Sequence, residues 1–192
     1  MTRLLATCLA IFSLAGCATQ EFGWSPHEAG CSNRGLGEAL LVPDTSDLRR
    51  SDIRIGRLPD TGRGPGFMVQ FARHRGGPFG EDGTPQLVLA VGDRERTCVE
   101  IVEEASCPVA ARVYEDLSTL SLPVGFKFSD PSGITVLHGT QYFLASVDGE
   151  GNPLYWSYYG PGHPAQRALS SALDALLACA HVLRSTFDAN GT

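Results

Sequence analysis

The 192-residue chain carries 15 Lys and Arg against 21 Asp and Glu, a net charge of −6, and 43% of its residues are hydrophobic. That is enough length and apolar content for one ordinary domain with a packed core. The acidic balance argues against nucleic acid as a partner, because phosphate recognition requires basic patches.

In chain order, the first element is a leader. Arg3 supplies one positive charge, and Leu4 to Leu14 is an uncharged, mostly apolar run. The run is too short to span a bilayer, which needs about 20 apolar residues. A charged start, a short apolar centre and small residues at the exit describe a secretory signal. Leu14-Ala15-Gly16-Cys17 resembles the lipobox of bacterial lipoproteins. The resemblance is confined to this segment. It implies cleavage before Cys17, a diacylglycerol on its sulfur and, usually, acylation of the new amino group. More than one acyl chain makes attachment stable, at roughly 0.8 kcal/mol per buried CH₂. Ala18, where an aspartate would retain the protein at the inner membrane, implies the outer membrane, facing the periplasm. Loss of residues 1–16 would leave 176 residues with 14 basic and 21 acidic side chains, a net charge of −7.

An oxidising compartment bears on the four remaining cysteines, Cys31, Cys98, Cys107 and Cys179. They allow three pairings. The expected one is Cys98–Cys107, closing a short loop, with Cys31–Cys179 closing nearly the whole domain. In the chain-entropy picture these contribute about 3 and about 4–5 kcal/mol. No C-x₂-C or H-x₃₋₅-H spacing supports a metal site, and no cofactor motif is present.

Residues 17–37, rich in Gly, Ser and polar side chains, read as the lipidated N-terminus and a tether; a single globular domain is expected over 38–192. "EALLVP" reads as a short strand or turn of helix. Residues 43–66, with five arginines among four aspartates, read mainly as surface loop. "FMVQFARH" alternates with period two and predicts a strand; "QLVLAVG" and "RTCVEIVEE" predict two more, giving a meander. "CPVAARVYEDLSTL" predicts a helix from the spacing of Val109, Val113, Leu117 and Leu120. "TQYFLASV" and "LYWSYY" flank the turn "DGEGNP" as a hairpin. Pro164 opens a last helix whose stripe is Leu169, Leu173, Leu176, Ala180, Leu183 and Phe187. The order predicts an α+β domain: an antiparallel sheet, meander plus C-terminal hairpin, with two helices on one face.

Candidate chemistry concentrates in "YWSYYGPGHP". Alternation puts Leu154, Trp156 and Tyr158 on one face and Tyr155 and Tyr159 on the other. Tyr142 from the partner strand is expected to join the latter pair, and such a surface suits sugar rings or a protein. The competing reading is cross-strand pairing that only stabilises the hairpin. His163, just before Pro164, is a candidate acid or base at a helix N-terminus, or simply part of a rigid turn. His138 with Asp130 is a second candidate catalytic pair, without an evident nucleophile: neither G-x-S-x-G nor an S-x-x-K around Lys127, the only lysine, occurs. "DGEGN" offers Asp148, Glu150 and Asn152 like the opening of a calcium loop, but Pro153 and Tyr159 stand where that loop wants Gly and Glu, which favours a plain turn.

These features favour a binding or structural module, held by its lipid at the outer membrane and facing an envelope protein or peptidoglycan. The alternatives are a cell-envelope hydrolase using His138 or His163, and an inhibitor or immunity-type protein that inserts an exposed loop, such as 43–66, into a partner.

Overall fold

A computed structural model describes residues 29–37, 48–60, 64–72, 85–122 and 139–189. The leader, Cys17, residues 38–47, Lys127, Asp130 and His138 lie outside the described residues. In chain order the elements are β1 (Gly30–Ser32), β2 (Ile53–Pro59), β3 (Gly66–Ala72), β4 (Gln86–Gly92), β5 (Thr97–Glu103), α1 (Ala110–Ser118), β6 (Thr140–Val147), β7 (Pro153–Tyr159), α2 (Pro164–Leu176) and α3 (His181–Ala189). Two 3₁₀ turns, Glu104–Ser106 and Leu177–Ala180, precede α1 and join α2 to α3.

The strands form one antiparallel sheet in the order β1-β5-β4-β3-β2-β6-β7. The fold is the α+β arrangement expected: a meander, a C-terminal hairpin and helices on one face. Period-two alternation sends Ile53, Ile55, Phe67, Val69, Phe71, Leu87, Leu89, Val91 and Leu144 to that face, against the stripes of the helices. The predicted last stripe is buried throughout, from Leu169 to Phe187. Its helix is not continuous: the 3₁₀ turn that interrupts it carries Cys179, bonded to Cys107. α1 buries Val113 and Leu117, while Val109 is exposed and caps the helix. Tyr114 ties α1 to the sheet, its hydroxyl donating to the Ser51 carbonyl at 2.8 Å and its ring 5.6 Å from Phe71.

The face away from the helices is also covered. Leu36, Met68, Ala90 and Phe143 make one cluster there, and Leu48, Ala145 and Val147 another. Phe143 lies so close across β2 that a Cβ on Gly56 would stand 1.9 Å from its ring, which is why that strand position holds glycine.

Three expectations are corrected. β2 lies inside the stretch read as loop: Arg54 and Arg57 disguise an alternation whose apolar members are Ile53 and Ile55. β1 and the fully buried Leu36 lie inside the stretch read as tether. The disulfides are Cys31–Cys98 and Cys107–Cys179, not Cys98–Cys107 and Cys31–Cys179. The reason is β5. An extended strand advances about 3.3 Å per residue, so its run from Cys98 to Glu103 carries the chain roughly 16 Å away, beyond the ~7 Å that a disulfide can bridge. Cys98 instead meets Cys31 directly across the β1–β5 register, with a Cα–Cα distance of 3.9 Å.

Candidate functional site

The candidate surface is built on β7, the strand at one edge of the sheet. The turn leading into it is held by Asp148, whose Oδ1 accepts from the backbone N–H of Glu150 (2.9 Å) and Asn152 (2.8 Å), while its Oδ2 accepts from Asn152 Nδ2 (3.0 Å). These bonds, that from the Asn152 side chain foremost, hold the Asp148 carboxyl below the ordinary carboxylate range. The arrangement is a side-chain-stapled hairpin turn.

β6 and β7 pair Tyr142 with Tyr158 and Leu144 with Trp156 on the helix side of the sheet, and Gln141 with Tyr159 and Ala145 with Tyr155 on the other. Tyr155 and Tyr159 therefore share the outer face, as expected, and are 36% and 43% exposed. Tyr142 does not join them. Its register partner is Tyr158, so it takes the opposite face and is buried. The error was one of register: β6 starts so that its even-numbered residues align with the even-numbered residues of β7. Among the described residues the exposed large hydrophobic side chains are Val109, Leu154, Tyr155 and Tyr159. Three of the four are on β7: Tyr155 and Tyr159 on the outer face, and Leu154, the register partner of Ser146, on the helix side.

Tyr159 is positioned by residues far away in sequence. Its hydroxyl donates to Asp60 Oδ2 at 2.5 Å, and the same oxygen accepts the Gly139 N–H at 2.7 Å. The ring lies over Gly139, where a Cβ would approach to 3.3 Å. Asp60 was hidden within the charged stretch read as loop; with 99 residues separating it from Tyr159, no local signal marks the pair.

His163 is buried, 3% exposed, between Trp156 and Tyr158, with ring centroids 5.0 and 4.9 Å away. Its Nδ1 accepts the Ala165 N–H at 3.1 Å, which makes it the N-cap of α2 with Pro164 at the first helical position. This bond, with the burial of the ring, gives His163 a structural part in starting α2. The other catalytic candidates, His138 and Asp130, lie outside the described residues. Among the described residues no group of His, Cys, Asp and Glu is placed to hold a metal ion, and no helix is long and apolar enough to cross a membrane.

The fold and the aromatic edge define an α+β domain with two disulfides, and the assignment stops at that class. Comparison with known proteins finds no matching family model, no similar curated protein and no similar solved structure.

Proposed function

We propose that the protein is a lipid-anchored envelope lipoprotein whose domain binds a protein or cell-wall partner through the exposed face of β7. The observation that carries the reading is the exposure of two tyrosines, Tyr155 and Tyr159, on the outer face of one edge strand. Tyrosine brings a large contact area with few rotatable bonds and a polar tip, the composition that binding surfaces favour. The Asp60–Tyr159 bond holds one of the two rings in place before contact, which lowers the ordering cost of binding.

The anchor is supported by the lipobox-like Leu14–Cys17 segment and by the two disulfides, which persist in an oxidising compartment. The chain from Cys17 enters the sheet at β1, the edge opposite β7. Six inter-strand spacings separate the two edges, about 29 Å. β7 is thus the edge strand farthest from the one that follows the N-terminal segment.

Two measurements test the proposal. Mass spectrometry of the mature N-terminus is expected to find a diacylglyceryl group on Cys17, and an unmodified thiol there ends the anchor reading. The variant Tyr155→Ala with Tyr159→Ala is expected to keep its circular dichroism and cooperative unfolding while losing the cross-links that the wild-type chain forms in intact envelopes. If it unfolds, those rings are structural and the surface is withdrawn; unchanged cross-links also refute it.

A further inference from the structure

β2 breaks its own pattern at one place. Its helix-facing positions run Ile53, Ile55, Arg57, so a guanidinium stands where alternation calls for a third aliphatic side chain. The register puts Arg57 in a row across the sheet: Tyr142 is its partner on β6, Phe67 its partner on β3, and Val91 lies opposite Phe67 on β4. These four side chains floor a cleft of about 470 Å³, with Leu177 from the 3₁₀ turn and Thr140 also lining it. The volume falls in the range of small-molecule sites.

Two side chains with polar groups line this cleft. Arg57 donates from Nη1 to Asp174 Oδ1 at 2.6 Å, and its other N–H groups bond to no described residue. The arginine side chain is 22% exposed and Asp174 is 61% exposed, so the pair sits at the rim, where an ion pair contributes little on its own. Tyr142 is 9% exposed and lines the same cleft. A fork of donors and a tyrosine hydroxyl beside an apolar wall of Phe67, Val91 and Leu177 form a divided site, polar at one end and apolar at the other.

The geometry assigns to this cleft a small carboxylate ligand with an apolar body. The planar fork of arginine matches a carboxylate, and the Tyr142 hydroxyl supplies a second donor. A phosphate dianion fits worse: Arg57 is the one cation among the described lining residues, and Asp174 already offsets it. Asp174 occupies one Arg57 donor and competes with the ligand for it. This ligand is separate from the partner proposed for β7, whose exposed tyrosines lie on the other face of the sheet.

The test is titration of the purified full chain with 4-phenylbutyrate, and in parallel with its uncharged amide, followed by calorimetry and by the NMR signals of Phe67, Val91, Thr140 and Leu177. The carboxylate is expected to saturate and to shift those signals. Loss of a charge-assisted hydrogen bond should make the amide and Arg57→Gln each weaker by about tenfold or more, and Tyr142→Phe weaker by about fivefold. Asp174→Asn, at an exposed helix position that tolerates change, is expected to tighten binding by about two- to fivefold by removing the competitor. The assignment is overturned if the amide binds as well as the acid, if Asp174→Asn weakens or leaves binding unchanged, or if neither the wild type nor Asp174→Asn binds. Should Arg57→Gln fail to fold, the acid–amide ratio and the Asp174 variant still decide the matter.

Discussion

His163 has two separable roles, and three substitutions distinguish them. Its Nδ1 accepts the Ala165 N–H at 3.1 Å, and removal of an N-cap acceptor typically costs about 1 kcal/mol. Its ring fills the space between Trp156 and Tyr158 at 5.0 and 4.9 Å, and each such ring contact contributes about 0.5–1.5 kcal/mol beyond area burial. His163→Ala removes both and is expected to cost about 3 kcal/mol. His163→Asn restores an acceptor without the ring, and His163→Phe restores a ring without the acceptor. Both should be less destabilised than the alanine variant, with the phenylalanine variant losing about the 1 kcal/mol of the cap. The assay is urea unfolding with the disulfides intact, checked by melting, where 1 kcal/mol corresponds to roughly 2–4 °C at this size. A His163→Asn variant as unstable as His163→Ala would refute the cap, and a His163→Phe variant as stable as wild type would show that the Nδ1 bond contributes nothing.

Other expectations follow from the same kind of reading. Peptide mapping without reduction should recover Cys31 joined to Cys98 and Cys107 joined to Cys179; replacing either pair by alanine removes a loop of 67 or 72 residues and should cost about 4 kcal/mol in the chain-entropy model, whereas recovery of a Cys98–Cys107 peptide would contradict the fold. Gly56→Ala puts a methyl 1.9 Å from the Phe143 ring and should cost about 3 kcal/mol or more, with Phe143→Leu partly restoring the double variant; additive losses would show that the two do not touch. Asp93 accepts the N–H groups of Glu95 and Arg96, and these bonds, that of Glu95 first, hold its carboxyl below the ordinary 3.8. Its folded-state value is thus depressed, so its stabilising effect is present above about pH 4 and is lost as pH falls through the folded value. Asp93→Ala should flatten that acid limb, and an unchanged pH profile would refute the link.

Much of the architecture could be read from local pattern because strands β3 to β5, the hairpin and the last helix each carry an uninterrupted period. What local pattern missed has one physical origin: pairing between residues far apart in the chain. β2 fails the test of alternation because Arg54 and Arg57 are charged, and their acceptors among the described residues include Gln70 and Asp174, 16 and 117 residues away. The disulfides were misassigned by favouring the nearest cysteine, although reading "RTCVEIVEE" as a strand already places Cys98 and Cys107 too far apart to bond. Tyr142 takes the face opposite to the expected one because alternation within one strand does not set its register against the next. Tyr155 and Tyr159 were placed correctly, since they lie on a single strand and need no such information. The sequence reading of His163 offers an acid or base, or part of a rigid turn, and not a cap; its aromatic enclosure depends on β7 folding back beside α2.

The two arginines of β2 show why a charge in a sheet is not by itself a site. Arg54 points to the face away from the helices, 4% exposed, and its Nε and Nη2 both donate to Oε1 of its register partner Gln70, at 3.1 and 2.8 Å. Gln70 is itself 1% exposed, so this guanidinium meets that acceptor inside a packed layer. Three positions along, Arg57 turns to the opposite face at the end of the same strand. There its acceptor is an exposed carboxylate on α2, its neighbours in the row are Tyr142 and Phe67, and open volume lies in front of it. The same side chain on the same strand is structural where packing closes around its fork and available where packing leaves the fork facing a cleft. Burial of the acceptor, rather than burial of the arginine, separates the two cases.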